Sequence, residues 1–92
     1  MKYKIRTTNQ FDKALVRCKK RNYPIDKLQM TINLLAETGV LPEEYNQHKL
    51  KSIKGNNTWE CHILPDWLLV WEQHENELYL LMLNTGTHSD LF

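Results

Sequence analysis

Several features typical of secreted and membrane proteins are missing from this 92-residue sequence. It has two cysteines, Cys18 and Cys61, and no CxxC pair, which argues against a disulfide scaffold and indicates two reduced, buried thiols. No apolar run approaches the roughly 18 residues that a membrane span requires. The basic N-terminal residues are followed by polar residues 7–10 instead of an apolar segment, so we expect no secretory signal and a cytoplasmic location.

Lysine and arginine are also absent from residues 55–92, although the whole chain has a net charge of only +1. All twelve basic residues lie in residues 1–54, where five acidic residues leave a net charge of +7, and the remaining part has six acidic residues and a net charge of −6. A strongly basic surface would suit a phosphate backbone or an acidic protein. Alternatively, the two parts interleave in space and neutralise each other.

The length of the chain allows one hydrophobic core, so we expect residues 1–92 to form a single domain. Alternation of apolar and basic residues predicts a strand over residues 2–7. Apolar residues at helical spacing predict one helix capped by Thr8 or Asn9, and a second helix that begins after Pro24 and stops near Gly39. The two helices should form a hairpin.

The rest of the chain predicts strands joined by loops. Residues 40–57 show no sustained period and end in a Gly-Asn-Asn turn signal, so a long, exposed, partly mobile loop is expected. Three strands should follow, over residues 59–64, 68–72 and 78–84. Residues 85–92 are too few and too polar for core structure. The order β-α-α-β-β-β predicts an α+β domain, with a mainly antiparallel four-stranded sheet and the helical hairpin packed on one face.

Three of the four histidines, His48, His62 and His88, lie beside sequence that reads as loop or strand end. Neutral imidazole acts as acid or base near pH 7 because its unperturbed pKa is about 6.5. Metal-independent RNA cleavage needs a base for the 2′-hydroxyl, an acid for the leaving 5′-oxygen and positive charge for the transition state. The histidines, Asp66 and the lysines Lys49 and Lys51 could supply that set.

Each of these residues also has an ordinary structural interpretation. His48 could be a surface residue, His62 a strand residue satisfied by a neighbour, and Asp66 a turn former after proline. His74 is interpreted as solvated surface. No two of the candidate ligands have the i, i+4 or HxH spacing of a convincing metal site, so neither a metal nor another cofactor is expected.

The spacing of motifs around these residues closely resembles YafQ-type toxins of the RelE/ParE superfamily. The resemblance lies in three stretches: His-Lys-Leu at 48–50, Glu-Cys-His-Ile-Leu-Pro-Asp-Trp-Leu-Leu-Val-Trp at 60–71, and Thr-Gly-Thr-His-Ser-Asp-Leu-Phe at 85–92. It implies a RelE-like microbial RNase fold and a toxin of a type II toxin-antitoxin system. It further implies an endoribonuclease that cuts messenger RNA on the ribosome, inhibits translation and is held in check by a DinJ- or RelB-like antitoxin.

The resemblance also implies roles for individual residues. The active-site histidines fall on His48, His62 and His88, and the carboxylate on Asp66. We assign His88 as the general acid and Asp66 as the general base, to which His62 and His48 add base character, orientation or phosphate contact. Phe92 is expected to stack on a base, unless it folds onto the sheet as a terminal apolar residue. Trp67 is expected in the core.

One stretch departs from the family pattern, and two other functions remain open. Residues 51–58 run about one residue longer than the corresponding family loop and lack its first glycine, which leaves codon preference open. A ParE-like toxin could share the fold and inhibit DNA gyrase by binding, without catalysis. A catalytically inactive module could retain antitoxin or RNA contacts alone. The clustered histidines and Asp66 favour the nuclease.

Overall fold

The computed structural model describes residues 2–50 and 57–92. Its elements, in chain order, are β1 (Lys4–Thr7), α1 (Asn9–Lys20), α2 (Ile25–Thr38), a short 3-10 helix (Glu43–Tyr45), β2 (His48–Lys49), β3 (Thr58–Leu64), β4 (Trp67–His74), β5 (Tyr79–Gly86) and α3 (His88–Leu91). None of the helices within these ranges has the length and apolar character needed to cross a bilayer.

The strands form one mixed sheet in the order β1-β5-β4-β3-β2. The β2–β3, β3–β4 and β4–β5 pairs are antiparallel, whereas β1 pairs in parallel with β5. The predicted α+β class and the helical hairpin are confirmed. The predicted number of strands is wrong, because within the described residues a fifth strand, β2, pairs with the start of β3.

Both predicted helices form, and their ends follow from local chemistry. Thr8 caps α1 by accepting a hydrogen bond from the backbone N–H of Phe11. The second helix, α2, ends at Gly39, whose positive φ of 78° is easily reached only without a side chain. A Cβ at this position would lie 2.5 Å from Nε2 of Gln73 and 2.9 Å from the ring of Tyr3. Glycine therefore allows the chain to turn against the sheet.

The core lies between the helical hairpin and one face of the sheet. Cys18 of α1 and Cys61 of β3 are both buried and unbonded, as expected. Trp67 is fully buried, which confirms its predicted place in the core. The strands and helices contribute the other main members, Phe11, Leu28, Leu35, Ile63, Leu69, Trp71, Leu80 and Met82.

One prediction about an irregular segment, that of an exposed loop over residues 40–57, is wrong for the residues of it that the structure describes. Leu41 and Tyr45 lie buried within the predicted exposed loop, because apolar side chains there reach the core. Gln47 fixes this segment by accepting a hydrogen bond from the Leu41 N–H and donating one to the Gly39 carbonyl. Residues 85–92, expected to be too few and too polar for core structure, end β5 with the buried Thr85 and Gly86 and continue into α3, which has no buried residue.

Candidate active site

The face of the sheet away from the helical hairpin carries two of the predicted histidines. Cys61 and Ile63 of β3 point into the core, so the alternating residues Glu60 and His62 point to the opposite face. His48 pairs with Glu60 across the β2–β3 ladder and therefore shares that face.

Asp66 and His88 meet at one end of this face. Asp66 lies in the turn between β3 and β4, and His88 opens α3 directly after β5. The Nδ1–H of His88 donates to Oδ1 of Asp66 at 2.7 Å, and the backbone N–H of His88 donates to the same oxygen at 3.2 Å. These hydrogen bonds, first that of the side chain and then that of the backbone, lower the pKa of Asp66 below its usual range. With Nδ1 engaged, Nε2 of His88 is the ring nitrogen that can meet a substrate.

His62 completes a group of three with this pair. Its ring centroid lies 5.8 Å from that of His88, with the ring planes at 64°. The side chains of His88 and Asp66 are 56% and 68% exposed. The structure thus brings together three residues that are separated in the sequence, on a surface open to a large substrate.

His48 is held by different partners. Its Nδ1 donates to the backbone carbonyl of Asn46 at 2.8 Å, and its Nε2 lies 3.2 Å from Oε1 of Glu60. Glu60 was not singled out by sequence reasoning. The available signal was its position two residues before His62, which puts both side chains on one face of a strand.

Helix α3 is anchored by residues that sequence reasoning also missed. Thr87 and Asp90 form a capping box, in which each side chain accepts a hydrogen bond from the other's backbone N–H. Arg21 at the end of α1 contacts Asp90 at 2.7 Å. The Arg21 guanidinium, and then the Thr87 N–H, hold the pKa of Asp90 well below its usual range. The Thr-x-x-Asp spacing could have predicted this short helix.

Of the predicted substrate-binding residues, Phe92 directly follows α3, where its backbone N–H donates to the carbonyl of His88, and Lys49 lies on β2. Phe92 is 73% exposed, so its ring does not pack into the core. Lys49 pairs with Trp59 and hence points to the face opposite His48, where its Nζ lies 5.5 Å from the Trp59 ring centroid. Lys51 lies outside the described residues. His74 bonds to Glu72 and stacks on the Tyr79 ring, away from the other histidines along β4.

Comparison with known proteins places this chain among the bacterial toxins of type II toxin-antitoxin systems. The family model described as "Bacterial toxin of type II toxin-antitoxin system, YafQ" matches residues 3–92. The chain therefore belongs to the YafQ toxin family. No curated protein gave a significant match.

Solved structures agree with this assignment. The toxin in the Escherichia coli DinJ-YafQ complex is 31% identical, with a TM-score of 0.89 and coverage of 98% of each chain. YafQ from Escherichia coli strain BL21(DE3) is 30% identical, with a TM-score of 0.86 and the same coverage. A metal-bound toxin from Helicobacter pylori is 33% identical, with a TM-score of 0.90 and coverage of 98% of this chain and 99% of that one.

The metal-bound relative raises the question of whether this chain offers a similar site. Within residues 2–50 and 57–92, no three His, Cys, Asp or Glu side chains lie close enough together to hold a metal ion. His88 and Asp66 instead use their facing atoms on each other. The described residues therefore offer two facing donors at this point of the site, His88 and Asp66, and no three-ligand metal site.

Proposed function

We propose that this toxin is a ribosome-dependent endoribonuclease that cleaves messenger RNA by acid-base catalysis and so inhibits translation. The single observation that carries the proposal is the hydrogen-bonded His88–Asp66 pair, with His62 5.8 Å away by ring centroid, on an exposed surface. Attack of the 2′-oxygen on phosphorus needs a base that accepts the proton of the 2′-hydroxyl and an acid that protonates the leaving 5′-oxygen. A histidine beside a carboxylate supplies both kinds of group.

In this mechanism His88 is the acid and Asp66 the base. The 2′-oxygen attacks phosphorus to form a 2′,3′-cyclic phosphate while its proton passes to Asp66. The bond from phosphorus to the 5′-oxygen breaks, and Nε2 of His88 protonates that oxygen. Oδ1 of Asp66 accepts a hydrogen bond from Nδ1–H of His88, which fixes the orientation of the ring, and Oδ2 of Asp66 remains to receive the proton. His62 lies close enough to His88 to assist as a second base or a phosphate contact.

The openness of the site explains why a ribosome would be required. More than half of each catalytic side chain, His88 and Asp66, is exposed, so the toxin has little surface with which to enclose a flexible RNA strand. Holding the 2′-oxygen, phosphorus and leaving oxygen in line supplies much of the rate of such a reaction. The ribosome would provide that alignment, and Phe92, exposed beside the site, would stack on an unpaired base.

A cognate antitoxin of the DinJ or RelB type is the second proposed partner. The Escherichia coli relative was crystallised with DinJ. Helix α1 of this chain ends in three basic residues, Arg17, Lys19 and Lys20, with Arg21 as its C-cap. Such a helix end would attract an acidic segment of an antitoxin.

Mapping of cleaved messages by primer extension after induction tests the nuclease proposal. The wild-type toxin should produce new 5′ ends inside translated reading frames, and His88→Gln should not. His74→Gln is the matched control, because it changes a histidine on β4 that lies away from Asp66 and His62. Arrest of replication with intact messages would favour the ParE-like alternative, and no arrest of either process would favour an inactive binding module.

Purified components separate the finer parts of the proposal. Cleavage should be efficient on ribosome-bound message, slow on free RNA, and unaffected by chelators once ribosome integrity is controlled for. Equal rates on both substrates would contradict ribosome dependence. A requirement of the toxin itself for added Mn²⁺ or Zn²⁺ would contradict the acid-base mechanism.

A further inference from the structure

An apolar cavity adjoins Asp66 where the turn of the helical hairpin meets the end of β3. It has a volume of about 230 Å³ and is lined by Tyr23, Leu64, Asp66 and Trp67. Tyr23 lies in the turn between α1 and α2, and Leu64 is the last residue of β3. The only charged group among these lining residues is the carboxylate assigned as general base. The cavity is therefore continuous with the candidate active site, although sequence reasoning assigned no role to Tyr23.

The surrounding structure holds the Tyr23 ring in place. The backbone N–H of Tyr23 donates to the Cys18 carbonyl at 3.1 Å, which ties the turn to the end of α1. The ring meets that of the buried Trp67 edge to face, with the centroids 5.0 Å apart and the planes at 66°. Tyr23 is only half-buried, so it remains accessible from the cavity. An aromatic ring that is already fixed loses little freedom when a planar ligand stacks on it.

A second apolar cavity lies on the His88 side of the catalytic pair. It has a volume of about 180 Å³, and its lining includes Val70, Leu91 and Phe92. Phe92 follows α3, and its backbone N–H donates to the His88 carbonyl at 2.9 Å. Among the described residues the two cavities have no lining residue in common. One aromatic side chain therefore adjoins the proposed base, and another follows the helical turn that carries the proposed acid.

The chemistry of RNA cleavage gives these two cavities a direction. The 2′-hydroxyl belongs to the nucleotide on the 5′ side of the scissile phosphate, and the leaving 5′-oxygen belongs to the nucleotide on the 3′ side. In the proposed mechanism Asp66 takes the proton from the first group and His88 protonates the second. The base of the 5′ nucleotide therefore lies nearer the cavity of Tyr23, and the base of the 3′ nucleotide lies nearer Phe92.

We propose that Tyr23 and Leu64 form a subsite for the base on the 5′ side of the scissile phosphate, in which the Tyr23 ring stacks on that base. This inference rests on the proposed nuclease function and adds a strand direction to it. The message crosses the site with its 5′ side toward the turn of the helical hairpin and its 3′ side toward Phe92. Every base has an aromatic face, so the contact positions the strand without selecting one sequence. Holding both flanking nucleotides keeps the 2′-oxygen in line with phosphorus.

NMR spectroscopy of the full chain with a dinucleotide tests the subsite without any measurement of activity. The probe carries two adenines, and its 5′ sugar is deoxyribose, so it has no 2′-hydroxyl and cannot be cleaved. The ring protons of Tyr23 and Phe92 should both shift when the probe is added. The same probe without its 5′ base should lose the Tyr23 shift and keep the Phe92 shift, and a probe without its 3′ base should do the reverse. A Tyr23 shift that depends on the 3′ base, or no Tyr23 shift with millimolar probe, would overturn the proposal.

Single-turnover cleavage of ribosome-bound message tests the consequence for function. Tyr23→Leu keeps an apolar side chain against Trp67 but removes the aromatic face, so cleavage should slow by about 10-fold, the scale of one base–aromatic contact. Tyr23→Phe restores the aromatic face and should cleave faster than Tyr23→Leu. Tyr79→Leu is the matched control, because Tyr79 is a half-buried tyrosine at the other end of β5, and its rate should equal that of the wild type.

A message with one abasic nucleotide on the 5′ side of the scissile phosphate separates stacking from an effect on the fold. The wild type and Tyr23→Leu should cleave this message at the same rate, because the base that Tyr23 contacts is missing. An undiminished difference between them would show that the substitution acts through the fold, and it would overturn the subsite. Absence of cleavage of every message by the wild-type chain would instead count against the nuclease function, and the NMR result would stand.

Discussion

Arg21 and Asp90 form an ion pair, 2.7 Å between Nη1 and Oδ2, that joins the end of α1 to α3. Asp90 also closes the capping box with Thr87. His88 and Ser89 lie between Thr87 and Asp90 in this first turn, so one carboxylate links the helical hairpin to the turn that carries the histidine assigned as acid. The position of His88 therefore depends on an ion pair in which His88 itself takes no part.

We predict that Arg21→Gln loosens α3 and lowers activity without unfolding the domain. The backbone amides of Leu91 and Phe92 donate to the carbonyls of Thr87 and His88. Their hydrogens should exchange faster with solvent in the variant, because α3 loses its anchor. The midpoint of global unfolding should change little, since the ion pair lies at the surface. Lys20→Gln, one position earlier, is the control. Unchanged exchange of these amides in Arg21→Gln would contradict the anchoring role.

The same contact predicts a loss of α3 order in acid. The pKa of Asp90 is lower in the folded chain than in the unfolded chain, where it has the ordinary carboxyl value of about 3.9. The ionised carboxylate therefore stabilises the fold above about pH 4, and this contribution is lost as the pH falls toward the lowered pKa. Carbon-13 NMR titration of the Asp90 carboxyl should show that lowered pKa, and in Arg21→Gln the value should rise. An identical titration in both proteins would refute this explanation.

Replacement of His88 should separate activity from stability. His88→Gln should reduce cleavage by about 10²- to 10⁴-fold, the range expected for loss of a general acid. It should cost less than about 1 kcal/mol in the free energy of unfolding, as is usual for an exposed side chain. Urea unfolding and co-purification with the antitoxin check that the variant is folded and still binds its partner. A fully active His88→Gln toxin would remove the central assignment.

A buried hydrogen-bond chain beneath the site should matter for stability instead. Trp67 Nε1–H donates to the Thr85 hydroxyl at 2.9 Å, which in turn donates to the Leu68 carbonyl at 2.7 Å. Thr85→Val keeps the shape but leaves a buried donor and acceptor without this partner, which should cost about 1–3 kcal/mol in urea unfolding. Thr7→Val, at an exposed position of β1, should change stability by less than about 0.5 kcal/mol. Equal effects of the two substitutions would contradict the prediction.

Lys49 should contribute to ribosome binding and not to chemistry. It lies on the edge strand β2 and points to the face opposite His48, so it can reach ribosomal RNA but not the scissile phosphate beside His88. Lys49→Glu should weaken binding and reduce the slope of log affinity against log salt by about 1, the effect of one lost phosphate contact. The maximal cleavage rate should stay the same. Lys4→Glu on β1, the opposite edge of the sheet, is the control, and an equal loss there would indicate a general charge effect.

The sequence predicted the elements that have a regular apolar periodicity or a recognisable capping residue at one end. The apolar spacing in α1 and α2, with Thr8 before one and Gly39 after the other, gave both helices nearly to the residue. It could not reveal β2, because a two-residue strand has no period to detect. Its formation depends on pairing with Trp59 and Glu60, which is a tertiary contact.

The sequence motifs predicted which residues form the candidate site, but not which of them contact each other. His62, Asp66 and His88 lie in the sequence motifs that carry the family resemblance, and the structure brings them together. Glu60 stood in the same motif without an assigned role, since only the β2–β3 register shows that it faces His48. His48 and Lys49 are neighbours in the sequence, but their side chains point to opposite faces of the sheet because successive strand residues alternate.

The parallel pairing of β1 with β5 has a consequence for how the chain is made. Lys4 pairs with Tyr79, so β1 has no partner strand until the residues of β5 have been synthesised. Contacts between such distant residues form late, because the intervening chain must first be closed into a loop. His88 follows β5 and can meet Asp66 only after β5 has been synthesised. A nascent chain from which β5 and His88 have not yet emerged therefore lacks the assembled site, and the proposed cleavage of messages can begin only after they do.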